Sequence, residues 1–185
     1  MKRFGLILAF LFFLSGCTGT KEAQDKLLQL RQSLSQGSYG FTANICADFD
    51  EHTYSFSLDC RFDAAGNMTF CVLSPDTISG ITGKIEANEA SLTFDDKSVA
   101  FLLLADGLVS PVSAPWLVVK GLRGGYLSSW RTEGEGILVC IDDTFEGENI
   151  AFDLLISAEI LPRSAEVYWE GRRILSLTIE NFRYL

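Results

Sequence analysis

Apolar and polar residues alternate through the first half of this chain, and this period of two constrains the fold more than any other feature. Apolar side chains occupy every second position from Tyr39 to Phe49. The same period continues over Thr53–Phe62 and over Met68–Leu73, with short polar turns between the runs. Because successive side chains of a β-strand point to opposite faces, the three runs predict an antiparallel meander with one apolar face.

The rest of the chain consists mainly of predicted strands. A break at residues 74–80 contains Pro75, which cannot donate a backbone hydrogen bond to a sheet. Val99–Leu104 is interpreted as a buried strand, with the entry to a helix as the alternative. The other predicted strands are Ile81–Ala87, Ala90–Phe94, Tyr126–Thr132, Gly136–Ile141, Ile150–Ser157, Ala165–Trp169 and Arg172–Tyr184. About ten strands without an internal repeat predict one mainly β domain.

Two segments have the period of a helix. Leu27, Leu30 and Leu34 recur at steps of three and four residues between polar side chains, which predicts an amphipathic helix over Glu22–Ser35. A second, short helix is predicted over Pro115–Arg123, because proline is tolerated in a first helical turn and Gly124-Gly125 follows.

These helices are few for a sheet of this size. An apolar sheet face that two helices cover only in part predicts a concave pocket that takes an acyl chain. Trp116 and Leu117 would then act as a lid, because they lie on the inserted helix between proline and glycine residues. The alternative is a closed core in which the same residues simply pack.

The N-terminus has the layout of an export signal. Lys2 and Arg3 precede the apolar run Phe4–Leu14, which is shorter than the roughly 20 residues needed to span a bilayer. The run ends at Leu14-Ser15-Gly16-Cys17, which matches the lipobox of bacterial lipoproteins. We therefore predict a signal peptide over residues 1–16, a lipidated tether over residues 17–21 and one domain over residues 22–185. The alternative is an ordinary export signal that ends near a cysteine.

A lipobox also predicts where the protein is located. The Cys17 thiol would be modified with a diacylglycerol that has palmitate among its acyl chains. Cys17 would then be the first residue after cleavage. The domain would then be held at the cell membrane by lipid and would face away from the cytoplasm. The choice between inner and outer membrane stays open.

The net charge indicates which classes of partner the protein can bind. The chain of 185 residues has a formal charge of −9, and removing Lys2 and Arg3 with the signal leaves 13 basic and 24 acidic residues, a charge of −11. A surface this acidic argues against nucleic acid as a partner.

Four cysteines remain after Cys17. Cys60 shares the period of the apolar residues in its run, which predicts a thiol in the core, whereas Cys46 alternates against its apolar neighbours. We expect free, partly buried thiols at Cys46, Cys60, Cys71 and Cys140, although export permits oxidation and their disulfide state stays open. The absence of a Cys-x-x-Cys spacing gives a metal site no support.

No motif predicts catalysis. The single histidine, His52, lies in a polar turn without a nucleophile and an orienting group in a recognisable pattern. The acidic groups at 48–51, 95–96 and 142–143 lie at strand ends and lack the spacing of a calcium loop. We therefore expect no enzyme activity, no cofactor and no metal.

The order of elements resembles the LolA/LolB family of lipoprotein carriers, and more closely the related lipoproteins of bacteria without an outer membrane. The matching features are the lipobox, the leading helix, the meander, the break at 74–80, the mid-chain helix and a closing hairpin over 166–182. The resemblance implies an unclosed β-barrel with a helical lid around an apolar cavity that receives acyl chains.

The resemblance also concerns individual residues. Lipidated members carry an exposed apolar residue in the loop after an early hairpin, and Ile78 is the apolar side chain in the matching break. The functional arginine of the soluble carrier has no counterpart here, because Arg61 lies on the polar face of its strand.

Two hypotheses follow. In the first, a membrane-tethered protein holds an apolar ligand, such as the acyl chains of a lipid or a lipoprotein, on the concave face of its sheet. The residues predicted to line or cover that site are Tyr39, Phe41, Phe56, Leu58, Trp116 and Leu117. In the second, the domain is a structural or protein-interaction module of the cell envelope with a filled core and no ligand.

Overall fold

The computed structural model describes residues 18–49, 52–86, 89–94, 96–105, 108–145 and 147–185. Cys17 and the predicted signal peptide lie outside the described residues. Helix α1, Thr18–Gln36, begins before the predicted Glu22, so that residues 18–21 of the predicted tether are helical. Its apolar stripe, Leu27, Leu30 and Leu34, is buried as the helical period predicts.

Eleven strands form one curved, antiparallel and unclosed sheet, which confirms the predicted fold class. The order across the sheet is β6-β5-β4-β3-β2-β1-β13-β12-β11-β10-β9, with β6 and β9 at its edges. The strands are β1 Tyr39–Phe49, β2 His52–Phe62, β3 Met68–Ser74, β4 Thr82–Glu86, β5 Glu89–Phe94, β6 Lys97–Phe101, β9 Tyr126–Glu133, β10 Gly136–Phe145, β11 Glu148–Ile156, β12 Pro162–Trp169 and β13 Arg172–Tyr184. Two short strands, β7 Leu104–Ala105 and β8 Leu108–Val109, pair separately.

The two halves of the chain meet where β1 pairs with β13. The register runs from Tyr39 opposite Tyr184 to Ala47 opposite Leu175, with an irregularity between Gly40 and Thr42. The hairpin that leads into β13 turns tightly, since Trp169 pairs with Arg172. Its turn residues have φ of 49° and 78°, which fits the glycine at the second position.

Helix α2, Ala114–Gly124, confirms the predicted mid-chain helix. A short 3₁₀ turn, Pro111–Ser113, leads into it, and the buried Ser113 hydroxyl donates to the backbone oxygens of Ser110 and Leu103. Helix α2 contacts α1, β10, β12 and β13, whereas the 3₁₀ turn contacts β1 and β2. Both helices therefore cover the half of the inner sheet face that runs from β13 to β9.

Two sequence predictions about strands were wrong. The strand predicted as buried at Val99–Leu104 lies at Lys97–Phe101, and its Val99 side chain is 65% exposed. The reason is position, because β6 is the outermost strand on the half of the sheet away from the helices. Pro162 was predicted to separate two strands but begins β12.

Candidate ligand-binding face

The apolar inner face of the sheet changes gradually from covered to open. One row of directly paired residues crosses it from β1 to β6 and consists of Phe41, Cys60, Phe70, Gly83, Leu92 and Val99. Directly paired side chains point to the same face. Phe41 and Cys60 are fully buried, Phe70 is 4% exposed and Val99 is 65% exposed. The inner face therefore continues past the core without being covered.

Gly83 lies between the buried and the exposed part of this row. The ring of Phe70 lies so close over Gly83 that a Cβ at this position would be 2.4 Å from the Phe70 Cζ atom. The missing side chain lets the ring lie flat on β4. Beyond it, Leu92 is half-buried and packs against the core from one side.

We call Leu92, Phe94, Val99 and Phe101 the open end of the inner face. Leu92 and Phe94 follow the buried Ala90 at steps of two, while Val99 and Phe101 pair with Leu92 and Ala90. Phe94 is 57% exposed and Val99 65%. Sequence reasoning missed this surface, because it interpreted Val99 as a core residue and did not single out Phe94.

The structure places three of the predicted lining residues deep in the core. Tyr39, Phe41 and Leu58 have no exposed surface. The Tyr39 ring stacks on Phe62 at 5.1 Å between centroids, and Phe41 stacks on the same ring at 5.5 Å. Burial raises the pKa of the Tyr39 hydroxyl above its ordinary value. Phe56 is half-buried beside this core, and the ligand-binding role of all four residues stays a prediction.

Helix α2 is tied to the turn between β2 and β3. Trp116, which is 5% exposed, donates from its indole Nε1 to the Gly66 oxygen at 3.1 Å. Arg123 donates from Nη2 to the Ala64 oxygen at 2.8 Å. Leu117 points into the core and is almost fully buried. The two predicted lid residues therefore belong to a helix that, in this conformation, is closed onto the sheet.

Ile78 lies in a 3₁₀ turn, Asp76–Ile78, directly after β3. Its side chain is half-buried and packs against the core. Leu73, at the end of β3, is the more exposed apolar side chain in this region. A membrane-contact role for Ile78 remains a prediction.

The described residues contain no group of three or more histidine, cysteine, aspartate or glutamate side chains that could hold a metal ion. His52 is exposed, and its ring is tilted against Tyr54 at 6.2 Å. The four cysteines carry free thiols, and burial raises the pKa of the Cys60 thiol. Asp143 forms an ion pair with Lys120 at 2.7 Å, whereas Asp50, Glu51 and Asp95 lie outside the described residues.

Neither helix among the described residues combines the length and the apolar content needed to cross a bilayer.

No family model matches the sequence, and no curated protein is significantly similar to it. Solved structures with a similar layout include a LolA superfamily protein from Nitrosomonas europaea, with a TM-score of 0.48 and 11% identity over 87% of this chain and 92% of that one. A putative outer membrane lipoprotein-sorting protein domain from Vibrio parahaemolyticus has a TM-score of 0.48 and 9% identity over 86% and 91%. The Mycobacterium tuberculosis lipoprotein LppX has a TM-score of 0.43 and 10% identity over 90% and 96%.

The likeness to these proteins is limited to the general layout of helices and strands. At such low identity it concerns the fold alone and not what the chain binds.

Proposed function

We propose that this protein is a lipid-anchored protein of the cell envelope that binds an apolar or lipid ligand, such as an acyl chain, on the concave face of its sheet. We propose binding rather than catalysis as its activity. The observation that carries the proposal is the open end of the inner face, where Phe94 and Val99 extend the apolar core surface into solvent.

Burial of apolar surface supplies the driving force. Each methylene group that leaves water contributes about 0.8 kcal/mol. A chain laid along β5 and β6 would cover Phe94 and Val99 and would meet the half-buried Leu92 next to the core. Each methylene that this surface removes from water therefore adds to the affinity.

Helix α2 decides how far such a ligand can extend. Residues predicted as lining, such as Phe41 and Leu58, become accessible only when the 3₁₀ turn that leads into α2 moves away from the sheet together with the helix. Its two side-chain hydrogen bonds to the β2–β3 turn each contribute about 1 kcal/mol. Most of the free energy that holds α2 on the sheet therefore comes from the burial of its apolar side chains. A bound acyl chain would take the place of those side chains.

The anchor in this proposal is a lipid on Cys17. Helix α1 begins at the next residue, so the anchor would hold the domain close to the membrane surface. A mature charge of −11 repels anionic lipid head groups, which leaves the acyl chains at Cys17 as the attachment. The same charge disfavours nucleic acid as a partner.

A second candidate is a protein-interaction module with a filled core. The observation that favours it is the complete burial of Tyr39, Phe41 and Leu58. In this case the open end would be covered by a protein partner rather than by a lipid.

The test uses the chain from residue 17 with Cys17→Ser, so that no lipid is attached. Dodecanoate below its micellar concentration is added, and uptake is measured by native mass spectrometry and calorimetry. We expect binding by this chain and at least a tenfold loss in Val99→Asp, because a charge would have to be desolvated on an apolar surface.

Ser98→Asp is the matched control. It adds the same charge to the same strand, but on the opposite face, where Ser98 is exposed and pairs with Thr93. Equal uptake by Val99→Asp and Ser98→Asp would contradict a site at the open end. Absence of uptake by the parent chain would favour the interaction module.

A further inference from the structure

A cleft of about 620 Å³ lies between α1, α2 and the β2–β3 turn. The charged side chains that line it are Lys120 and Arg123, and no carboxylate is among its lining residues. This is unexpected for a chain with a formal charge of −9. Trp116 and Val119 form an apolar wall on the α2 side.

A third cation, Arg31, is hydrogen-bonded to residues at the edge of this cleft. Arg31 of α1 donates from Nη2 to the Gly125 oxygen at 2.6 Å, next to the lining residue Gly124. Its backbone oxygen accepts from Ser35, which also lines the cleft. The Arg31 side chain is partly buried, burial lowers its pKa, and no carboxylate of the described residues pairs with it. The Gly125 oxygen solvates this charge in part, and an anion in the cleft would compensate it further.

Two carboxylates beside this cleft, Asp143 and Asp63, already have partners. Asp143 accepts from Lys120 at 2.7 Å and from the Thr144 amide at 2.8 Å. Asp63 accepts from the amides of Gly66 and Asn67 within its own turn, at 2.8 and 2.9 Å. Asp143 therefore compensates Lys120, whereas Arg123 and Arg31 form no ion pair with a carboxylate of the described residues.

Hydrogen-bond donors are in excess. Two buried side-chain polar atoms of the described residues have no hydrogen-bond partner, and they are Arg31 Nε and the Tyr39 hydroxyl. Both can donate. Tyr39 is fully buried, which raises the pKa of its hydroxyl, and the neighbouring Arg123 guanidinium lowers that pKa in part, so Arg31 Nε is the donor that lacks compensation. Buried donors without acceptors are uncommon in folded proteins, and each one calls for an explanation.

We propose that this cleft binds an anionic oxygen group, the carboxylate or phosphate of a small or amphiphilic ligand. Arg123 and Lys120 would donate to its oxygens, Arg31 would add positive potential, and the Trp116 wall would contact an apolar substituent. Arginine and lysine side chains bind such groups through charge-assisted hydrogen bonds. The cleft shares no residue with the open end of the inner face, so the two proposals stand or fall separately.

The test is calorimetric titration of the chain from residue 17, carrying Cys17→Ser, with inorganic phosphate, dodecyl phosphate and the uncharged dodecyl maltoside below their micellar concentrations. The indole N–H resonance of Trp116 in an NMR spectrum reports directly on the cleft. We expect the phosphate compounds to shift this resonance, with an affinity that falls as salt is added.

Two substitutions weaken the site and two control for charge. Lys120→Gln and Arg123→Gln should each reduce the affinity for dodecyl phosphate about tenfold, since each removes a charge-assisted contact. Arg61→Gln and Lys84→Gln remove cations from a different surface cleft and should leave the affinity unchanged. Thermal melting of every variant separates loss of binding from loss of fold.

The outcomes divide cleanly. Equal binding of inorganic and dodecyl phosphate supports a site for a free anion, whereas tighter binding of dodecyl phosphate supports a lipid head group beside Trp116. If neither phosphate binds, if dodecyl maltoside binds as well as dodecyl phosphate, or if the folded Lys120→Gln and Arg123→Gln variants bind normally, the proposal is overturned. Val99→Asp should leave phosphate binding intact, which distinguishes failure here from failure of the proposed function.

Discussion

Phe41 gives the most direct test of how tightly the inner face is packed. Its side chain has no exposed surface and stacks between Phe62, at 5.5 Å, and Phe182, at 5.9 Å. Replacing a buried phenylalanine by alanine costs about 3–5 kcal/mol in unfolding free energy, and each lost aromatic pair adds about 0.5–1.5 kcal/mol. We therefore expect Phe41→Ala to lower the stability by at least about 4 kcal/mol, a large part of the roughly 5–15 kcal/mol of a typical domain.

Urea unfolding followed by circular dichroism measures this loss. With a slope of about 2 kcal/mol per molar urea, the midpoint should fall by roughly 2 M. Phe94→Ala is the matched control, since it makes the same chemical change on the same face where the ring is 57% exposed. It should cost less than about 1 kcal/mol.

Equal losses in Phe41→Ala and Phe94→Ala would refute the packing argument. Phe41 would then line an accessible cavity in solution, as its predicted ligand-binding role requires, and α2 would not be closed onto the sheet.

Two further predictions concern the β2–β3 turn and the core thiol. Gly66→Ala should cost up to about 1 kcal/mol more than Gly134→Ala by thermal melting, because the Arg123 guanidinium would have to move aside and give up its hydrogen bond to the Ala64 oxygen. Both glycines have positive φ, but only at Gly66 would the new Cβ lie 2.2 Å from Arg123 Nη1. For Cys60, burial raises the folded-state pKa, so its contribution to stability is full below the unfolded value of 9.0 and is lost as the pH rises above it. Urea unfolding between about pH 8 and pH 10 should therefore show a steeper loss of stability in the parent chain than in Cys60→Ala, by up to about 1.4 kcal/mol per pH unit.

In each experiment, the opposite result would contradict the physical reason given for the prediction. Equal costs for Gly66→Ala and Gly134→Ala would mean that Arg123 does not lie against the turn in solution. Parallel pH profiles for the parent chain and Cys60→Ala would mean that the thiol titrates equally in the folded and unfolded chains.

The candidate binding surface was only partly predictable. The period of two correctly assigned Tyr39, Phe41 and Leu58 to one apolar face, because that assignment depends on local alternation. It could not say whether this face is filled, because the answer depends on where α2 packs. Phe94 and Val99 were missed for the same reason, since their exposure follows from the distance of β5 and β6 from the helices.

The cation-lined cleft had no sequence signal. Arg31 is far in the chain from Lys120 and Arg123, and its hydrogen bond to Gly125 joins residues 94 positions apart. Each of these side chains, taken by itself, is a charged residue of the kind found on any solvated helix surface.

The sequence by itself determined the local elements. Alternation of apolar and polar residues predicted β1 and β2 to within one residue. The proline at the start of α2 and the glycines at its end predicted that helix. These features follow from side-chain direction and backbone preference, which act between neighbours along the chain. Only the tertiary structure decided that β1 pairs with β13 and that β6 and β9 are the two edge strands of the sheet. Those choices depend on which strands and helices can bury their apolar faces together, and that is a property of the whole fold.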